Sequence, residues 1–222
     1  MSQDAIKHTG LMFKPDMVLA YLDERKNQTR RCTKSLQIVN EDPDAWDLIF
    51  TPQRPGTRFV SFGHKTDRAN IKHIKLPYGG IGDQLYFKET WRAWEDPRTG
   101  EDFIQYRADN EIISPVKFGW DTTKRDDWDY LVGKFEKWQS SMFMPRKVAR
   151  IRNVPILKVR VERLHELTEA DAQNEGCPVG KLSPHAWYGS LWDSINGKTL
   201  PWSKNPWVWV YEFPFYQKEG NQ

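Results

Sequence analysis

Cysteine is scarce in this chain, and its two copies, Cys32 and Cys177, lie far apart in the sequence. Two cysteines are too few for a disulfide framework, and their spacing does not match that of a zinc site. No segment approaches the roughly 18 consecutive apolar residues that a membrane-spanning helix requires. Residues 1–10 are polar and lack the apolar core of a signal peptide. These absences predict a cytoplasmic protein with two reduced thiols and no membrane partner.

Sequence signatures of several large enzyme classes are missing as well. The chain has no Gly-rich phosphate-binding loop, no His-Glu-x-x-His metal helix and no Gly-x-Ser-x-Gly nucleophile turn. Its five histidines are scattered and indicate no site. The sequence therefore predicts neither a cofactor nor a metal. The net charge of +3 permits a nucleic-acid partner without requiring one.

Large aromatic side chains, by contrast, are abundant, with 11 Trp, 11 Phe and 8 Tyr available to build a core. A helix is predicted over residues 15–25, because Pro15 and Asp16 suit a first turn. The chain is predicted to be extended from Thr29 and irregular over residues 37–55. Strands are predicted over residues 59–62, 71–76, 84–89, 157–161 and 207–213, the last of them apolar on both faces.

Two short helices and a hairpin complete the predicted elements. Thr168 is a natural N-cap with Asp171 three residues later, and Gly176 ends that helix. The second helix begins at Ser183-Pro184 and is expected to bury Trp187, Leu191 and Ile195, while the hairpin turns near Pro97 and Gly100. This order predicts an α+β domain built around a β-barrel. We expect one domain over residues 11–216, insertions near residues 37–78 and 91–142, and flexible termini at residues 1–10 and 217–222.

The basic run over residues 25–31 is the first candidate for chemistry. A threonine three residues from a lysine can lie beside its amine, which applies to Lys26 and Thr29. An amine kept neutral by burial, or by cations such as Arg30 and Arg31, can accept the proton of the hydroxyl. The alternative, which composition alone favours, is a solvated basic turn after a surface helix.

Glu175 and the aromatic residues are the other candidates. Glu175 falls in the last turn of a predicted helix, where an acidic side chain opposes the negative end of the helix dipole. An acidic residue in this unfavourable position indicates a functional role, and the position suits a proton donor. The alternative, favoured when Glu175 is considered alone, is an exposed glutamate. Rings such as Tyr78 can stack on nucleobases near a basic run, although most of the aromatic residues are expected in the core.

Together these segments resemble the ASCH family, a relative of the PUA domains. The match extends from Leu11 to Phe213 and implies a PUA-like mixed β-barrel with flanking helices and a cleft beside the first helix. Similarity to the larger members common in phages and prophages is carried by Glu89-Thr90-Trp91, Met144-Pro145-Arg146 and Leu191-Trp192-Asp193-Ser194-Ile195. The family motifs present here are Arg25-Lys26-Asn27-Gln28-Thr29-Arg30-Arg31, Gly82-Asp83, Leu167-Thr168-Glu169 through Glu175, and residues 207–213.

The family resemblance also implies an activity. One bacterial branch consists of amidohydrolases that convert N4-acetylcytidine to cytidine and acetate with a lysine, a threonine and a glutamate, which correspond to Lys26, Thr29 and Glu175. We therefore expect a metal-free enzyme that cleaves the N4-acyl amide of a cytidine-type nucleoside. Its long insertions imply room for acyl groups larger than acetyl. The residues expected to bind the substrate are Arg30, Arg31, Tyr78 and Glu89.

Two further functions remain open on the same residues. The first is a non-catalytic module that binds RNA or a modified base through the basic run and the aromatic rings. The second is a ribonuclease, an activity also associated with some ASCH proteins, which the lack of an obvious histidine pair disfavours. The sequence does not determine the acyl group, the sugar or the oligomeric state.

Overall fold

A computed structural model describes residues 6–119, 136–180 and 183–217 of the chain. It contains both helices and strands, so the α+β class is confirmed. The helices are α1 (Pro15–Leu22), α2 (Gln37–Asn40), α3 (Glu169–Asn174) and α4 (Pro184–Asn196). The strands are β1 (His8–Met12), β2 (Gln28–Arg31), β3 (Trp46–Phe50), β4 (Phe59–His64), β5 (Ile71–Lys75), β6 (Gln84–Lys88), β7 (Trp91–Glu95), β8 (Asp102–Tyr106), β9 (Ile112–Ile113), β10 (Val154–Pro155), β11 (Lys158–Arg163) and β12 (Trp207–Glu212).

The sheets are small. Among the described residues every sheet has three strands, and none closes into a barrel. The predicted PUA-like barrel therefore stays a prediction. No helix in this part of the chain is long and apolar enough to cross a membrane, and the longest, α4, has 13 residues.

Contacts along the backbone divide the chain into two compact units. The first unit comprises Met1–Thr9, Ala20–Gln84 and Val154–Gln222, and the second comprises Gly10–Leu19 and Leu85–Asn153. The predicted insertion near residues 37–78 lies in the first unit, and the described residues of that near 91–142 lie in the second, while its residues 120–135 lie outside the described part of the chain. The expected single domain stays a prediction. Of the termini predicted to be flexible, residues 1–5 and 218–222 lie outside the described residues, and β1 begins at His8.

The sheet β11-β12-β2 lies in the first unit. Strand β12 is buried from Trp207 to Tyr211, as its apolar sequence predicts, and lies antiparallel between its two neighbours. Val208 and Val210 pack against a cluster that includes residues of α3 and α4, while pairing with β2 sets Tyr211 opposite Thr29. The last strand thereby positions the basic run of the sequence.

The local sequence signals for a helix predicted the start of α3 correctly. Thr168 accepts a hydrogen bond from the backbone N–H of Asp171, whose side chain accepts one from the N–H of Thr168, so the predicted capping box is confirmed. The helix predicted over residues 15–25 is too long. It ends at Leu22, because Glu24 adopts a left-handed conformation with φ +57° and reverses the chain.

Three other predictions in the first unit are wrong in whole or in part. Residues 37–55 are not irregular, since they contain α2 and also β3, which pairs with β4 through a register shift after Leu48. Helix α4 buries Tyr188 and Trp192; the predicted residues Trp187 and Leu191 pack partly buried against the same cluster, but Ile195 is half exposed. Leu157 is also exposed, because β11 begins one residue later.

The second unit contains the sheet β7-β8-β9. Strands β7 and β8 pair antiparallel from Trp91 opposite Tyr106 to Glu95 opposite Asp102, which confirms the predicted hairpin. Trp91 and Tyr106 are buried in a core cluster with Ala93, Ile104, Met144 and Val148.

In this unit Arg150 binds the buried carboxylate of Glu89. Its Nε and Nη2 donate to the two carboxylate oxygens of Glu89, both at 2.8 Å, and Nη1 binds Asp109 at 2.7 Å and also Glu111. The guanidinium lies 4.5 Å from the ring centroid of Tyr106. Since Glu89 is only 1% exposed, its charge depends on Arg150 for compensation.

We expect Glu89→Ala to lower the free energy of unfolding by about 3–5 kcal/mol, because it leaves Arg150 buried without its bidentate partner. Urea unfolding followed by circular dichroism measures the loss. The matched control is Glu95→Ala, which removes an exposed carboxylate from the same unit and should cost less than about 0.5 kcal/mol. Equal losses in the two variants would contradict a structural role for the Glu89–Arg150 pair.

Candidate active site

Lys26 and Glu175, two of the three predicted catalytic residues, are in direct contact although 149 positions separate them in the chain. The Nζ of Lys26 donates to Oε2 of Glu175 at 2.8 Å and to its backbone oxygen at 2.8 Å. An antiparallel bridge joins the two backbones at the same point. Both residues are buried, at 1% and 3% exposure, so neither the solvated basic turn nor the exposed glutamate describes this structure.

Glycine at position 176 makes this approach possible. Gly176 follows the C-terminal end of α3 with φ +100°, a conformation that residues with a Cβ rarely adopt. A Cβ at this position would lie 2.7 Å from Cβ of Ala20 and 3.4 Å from Cβ of Lys26. The chain can therefore pass Lys26 closely and present Glu175 to its amine.

Arg30 is the second cation on Glu175. Its Nη1 donates to Oε1 of Glu175 at 3.3 Å, whereas Lys26 binds the other oxygen. The remaining edge of the guanidinium binds Glu162, with Nε and Nη2 at 2.9 and 2.5 Å from Oε1. Glu162 thus holds Arg30 in the orientation that it needs to reach Glu175.

Asp171 extends the network on the side of α3. Its Oδ2 lies 3.2 Å from Nη2 of Arg30, and its Oδ1 accepts hydrogen bonds from Gln28 at 3.0 Å and Arg160 at 3.1 Å. Three carboxylates, those of Glu162, Asp171 and Glu175, therefore compensate the cations of this region. Sequence reasoning identified Asp171 only as a helix cap and missed the role of Glu162.

Thr29, the predicted nucleophile, lies on β2 and is 3% exposed. Its Oγ1 accepts a hydrogen bond from Nε of Arg31 at 3.2 Å. Side chains alternate along a strand, so Thr29 and Arg31 face one side of β2 and Arg30 the other. A guanidinium that donates to the hydroxyl oxygen leaves the hydroxyl proton for transfer and stabilises the oxygen once the proton has left.

Two tyrosines border this group of charges. Tyr78, predicted to bind substrate, is half-buried, and its ring lies 5.5 Å from that of Tyr211. Burial raises the pKa of Tyr78, and the charge of Arg31 opposes the shift. Tyr188 on α4 was not predicted, and its ring centroid lies 5.9 Å from the guanidinium of Arg30. Spacing from Trp192 by one helical turn was the available signal for its burial.

Glu89, the last predicted substrate-binding residue, belongs to the second unit, where Arg150 binds both of its carboxylate oxygens. Burial raises the pKa of Glu89, although the hydrogen bonds from Arg150 act in the opposite direction. Its contacts are those of a structural ion pair. The predicted contact with a substrate stays a prediction.

The pKa values of the two central cations shift in opposite directions, although burial lowers both. Loss of hydration lowers the pKa of Lys26, and the carboxylate of Glu175 only partly offsets this effect. For Arg30 the order is reversed, since Glu175 and Glu162 outweigh the effect of burial and raise its pKa. Arg30 therefore stays charged, whereas Lys26 is the cation that can release a proton.

Among the residues that the structure describes, the other reactive side chains form no second centre of this kind. Both cysteines are free, and burial raises the pKa of Cys32 to about 11, which disfavours a reactive thiolate. Within the described ranges, no group of three or more His, Cys, Asp or Glu residues is arranged to hold a metal ion.

Gly176→Ala should lower the free energy of unfolding by about 2–4 kcal/mol, because the new Cβ adds a collision with Ala20 to the strain of a positive φ. Gly180→Ala is the matched control, since Gly180 also has a positive φ (+83°) but no atom within 4 Å of the Cβ position. Thermal unfolding of both variants separates collision from strain. Equal destabilisation would show that the close approach is unimportant.

The stability of the first unit should depend on pH through Asp171. Burial opposes ionisation of Asp171, but hydrogen bonds from Gln28 and Thr168 and the charge of Arg30 outweigh it and hold its pKa well below the ordinary value. Such a carboxyl stabilises the fold above its unfolded pKa of about 3.9 and loses that effect as the pH falls toward its folded value.

We therefore expect the free energy of unfolding to decrease from about pH 4 to pH 2, and Asp171→Asn to make that decrease shallower. Urea unfolding at a series of pH values measures the slope. Asp42→Asn, which changes an exposed aspartate without a side-chain cap bond, serves as control. An Asp171→Asn profile parallel to that of the wild type would refute the assignment.

Comparison with models of known protein families, with curated proteins and with solved structures finds no match to this chain. The resemblance to the ASCH family therefore depends on the sequence motifs alone and stays a prediction. The contact between Lys26 and Glu175 is an independent observation, because it comes from the folded chain.

Proposed function

We propose that this protein is an amidohydrolase that cleaves the N4-acyl amide of an acylated cytidine-type nucleoside, giving cytidine and a carboxylic acid. The buried contact between Lys26 and Glu175 is the observation that carries the proposal. It joins an amine of lowered pKa to a carboxyl group, and Thr29, whose hydroxyl is bound by Arg31, follows Lys26 by three residues in the chain. The proposal includes a PUA-like fold, to which the ASCH motifs of the sequence point.

Acylation would use Lys26 as the base and Glu175 as the acid. The 2.8 Å contact lets the two groups share one proton, and the reactive form is the neutral amine with the protonated carboxyl. Lys26 takes the proton of Thr29, and Oγ1 of Thr29 forms a bond to the acyl carbon. The bond from that carbon to N4 breaks as Glu175 protonates N4, which releases cytidine and leaves an ammonium beside a carboxylate.

Deacylation would run the same proton transfers in reverse. Glu175, now ionised, accepts a proton from water while the water oxygen bonds to the acyl carbon. The bond to Oγ1 of Thr29 breaks, and Lys26 returns its proton to that oxygen. The carboxylic acid leaves, and the pair is restored without a metal or a cofactor.

Arg31 and Arg30 have different roles in the proposed mechanism. Arg31 stabilises the Thr29 alkoxide or the oxyanion, since it already donates to Oγ1. Arg30 holds the carboxylate of Glu175 in place and stays charged because of Glu162. The ring of Tyr78 is placed by Tyr211 and is the proposed stacking partner of the base.

A second candidate is a non-catalytic module that binds RNA or a modified base. The same ion pair favours it in one respect, because buried pairs also occur as purely structural features. In that case the pair of Lys26 and Glu175 has a structural role only and holds together the two chain segments that border the site. A turnover assay separates the two functions.

The full chain incubated with N4-acetylcytidine or N4-benzoylcytidine should release cytidine, detected by chromatography. We expect Lys26→Met to lower kcat/KM by at least about 100-fold, the usual contribution of a general base. Thr29→Ala should abolish turnover, whereas Thr29→Ser, which keeps the hydroxyl, should retain a measurable part of it.

The matched control is Lys34→Met, which removes an exposed lysine from the same unit and should leave the rate unchanged. Circular dichroism of each variant verifies that it is folded. If wild-type protein releases no more cytidine than Lys26→Met, the amidohydrolase proposal fails and the binding module is favoured.

A further inference from the structure

The outer face of the β7-β8-β9 sheet, in the second unit, has an unusual composition. Alternation buries Trp91 and Ala93 of β7 against the core and turns Arg92 and Trp94 outward. On β8 the outward residues opposite them are Gln105 and Phe103. An antiparallel sheet that packs one face against the core normally has a polar opposite face. Large aromatic rings on the outer face of this sheet therefore require an explanation.

Arginines contact these rings directly. The guanidinium of Arg92 lies 5.0 Å from the ring centroid of Trp138 and 6.0 Å from that of Trp94, and Arg107 lies 5.6 Å from Trp138. The rings of Trp94 and Phe103 are 5.4 Å apart and tilted by 34°. We call Arg92, Trp94, Phe103, Arg107 and Trp138 the Arg–Trp surface.

Charge is distributed unevenly across this face. Arg92 donates to Oε1 of Gln105 at 2.8 Å, and the exposed residues Arg107 and Lys137 lie near Trp138 in space or in sequence. Glu95 and Asp102, register partners next to the hairpin turn, have the parity of the core-facing residues and so lie on the opposite face. The basic residues at the Trp138 end therefore favour a polyanion on this face.

We propose that the Arg–Trp surface binds single-stranded nucleic acid. Bases stack on aromatic rings and on guanidinium planes, and phosphates pair with arginine, so rings and arginines in contact match both parts of a nucleotide strand. In a duplex the base faces are stacked on one another inside the helix, so they cannot stack on the aromatic rings of this surface. This binding is independent of amide hydrolysis and uses residues of the second unit only.

Fluorescence anisotropy of the full chain with a labelled single-stranded RNA of about twelve nucleotides tests the proposal. We expect salt-sensitive binding that Trp138→Ala weakens at least about five-fold, the loss of one stacking partner. Arg107→Ala should weaken binding and make the slope of log K against log salt shallower by about 0.7, one phosphate contact.

Arg98→Ala, which removes an exposed arginine from the hairpin turn of the same sheet, is the matched control and should bind like the wild type. Arg107 is itself exposed, so its variant tests the surface even if Trp138→Ala unfolds. Equal binding by Arg107→Ala and Arg98→Ala, or no binding at low salt, would overturn the proposal.

Lys26→Met locates the binding site. We expect it to bind the RNA as the wild type does while it loses amide hydrolysis. Loss of RNA binding in Lys26→Met but not in Arg107→Ala would assign the nucleic acid to the first unit and overturn the proposal. Failure of hydrolysis alone would leave it supported, and duplex RNA bound as tightly as single strands would count against it.

Discussion

The burial of the Glu175 carboxylate is the constraint on which the arrangement of the first unit depends. A carboxylate removed from water costs several kcal/mol unless cations and hydrogen bonds replace its hydration. Lys26 and Arg30 supply that replacement, one on each oxygen. Arg30 in turn needs Glu162 and Asp171, because a guanidinium with a fully buried side chain requires its own compensation. Three elements, β2, β11 and α3, are thereby fixed to one another by the charges that they contribute.

The same compensation determines what chemistry the site can support. Arg30 is held charged by Glu175 and Glu162, whereas burial lowers the pKa of Lys26, so of these two cations Lys26 is the one that can release a proton. The cations and carboxylates nearly balance, and such a site accords with a neutral nucleoside as the proposed ligand because that ligand brings no charge of its own. A polyanion would find a better match in the second unit, where arginines contact the half-buried ring of Trp138.

Elements with local signals were predictable from the sequence, and elements defined by distant contacts were not. The capping box at Thr168 and the continuous apolar run of residues 207–213 were sufficient to identify α3 and the last strand. Strand β3 was missed because a register shift interrupts its pairing and three of its five residues are exposed. At the site, the sequence pointed to Lys26 and Glu175 through their motifs. Their burial, and the part played by Glu162, depend on the pairing of β11 with β12, which no local pattern reveals.

The position of β12 in its sheet also affects how the protein is made. This strand pairs with β2 on one edge and β11 on the other. Residues 28–31 therefore cannot form their sheet pairing until residues 207–212 have been synthesised. During translation the basic run leaves the ribosome long before Trp207–Glu212 does, and until then it lacks the partner that sets its register. A slip of one residue would exchange the faces occupied by Thr29 and Arg30. Correct assembly of the site is therefore a late event, and a nascent chain arrested before the final strand would carry the candidate residues without the geometry that relates them.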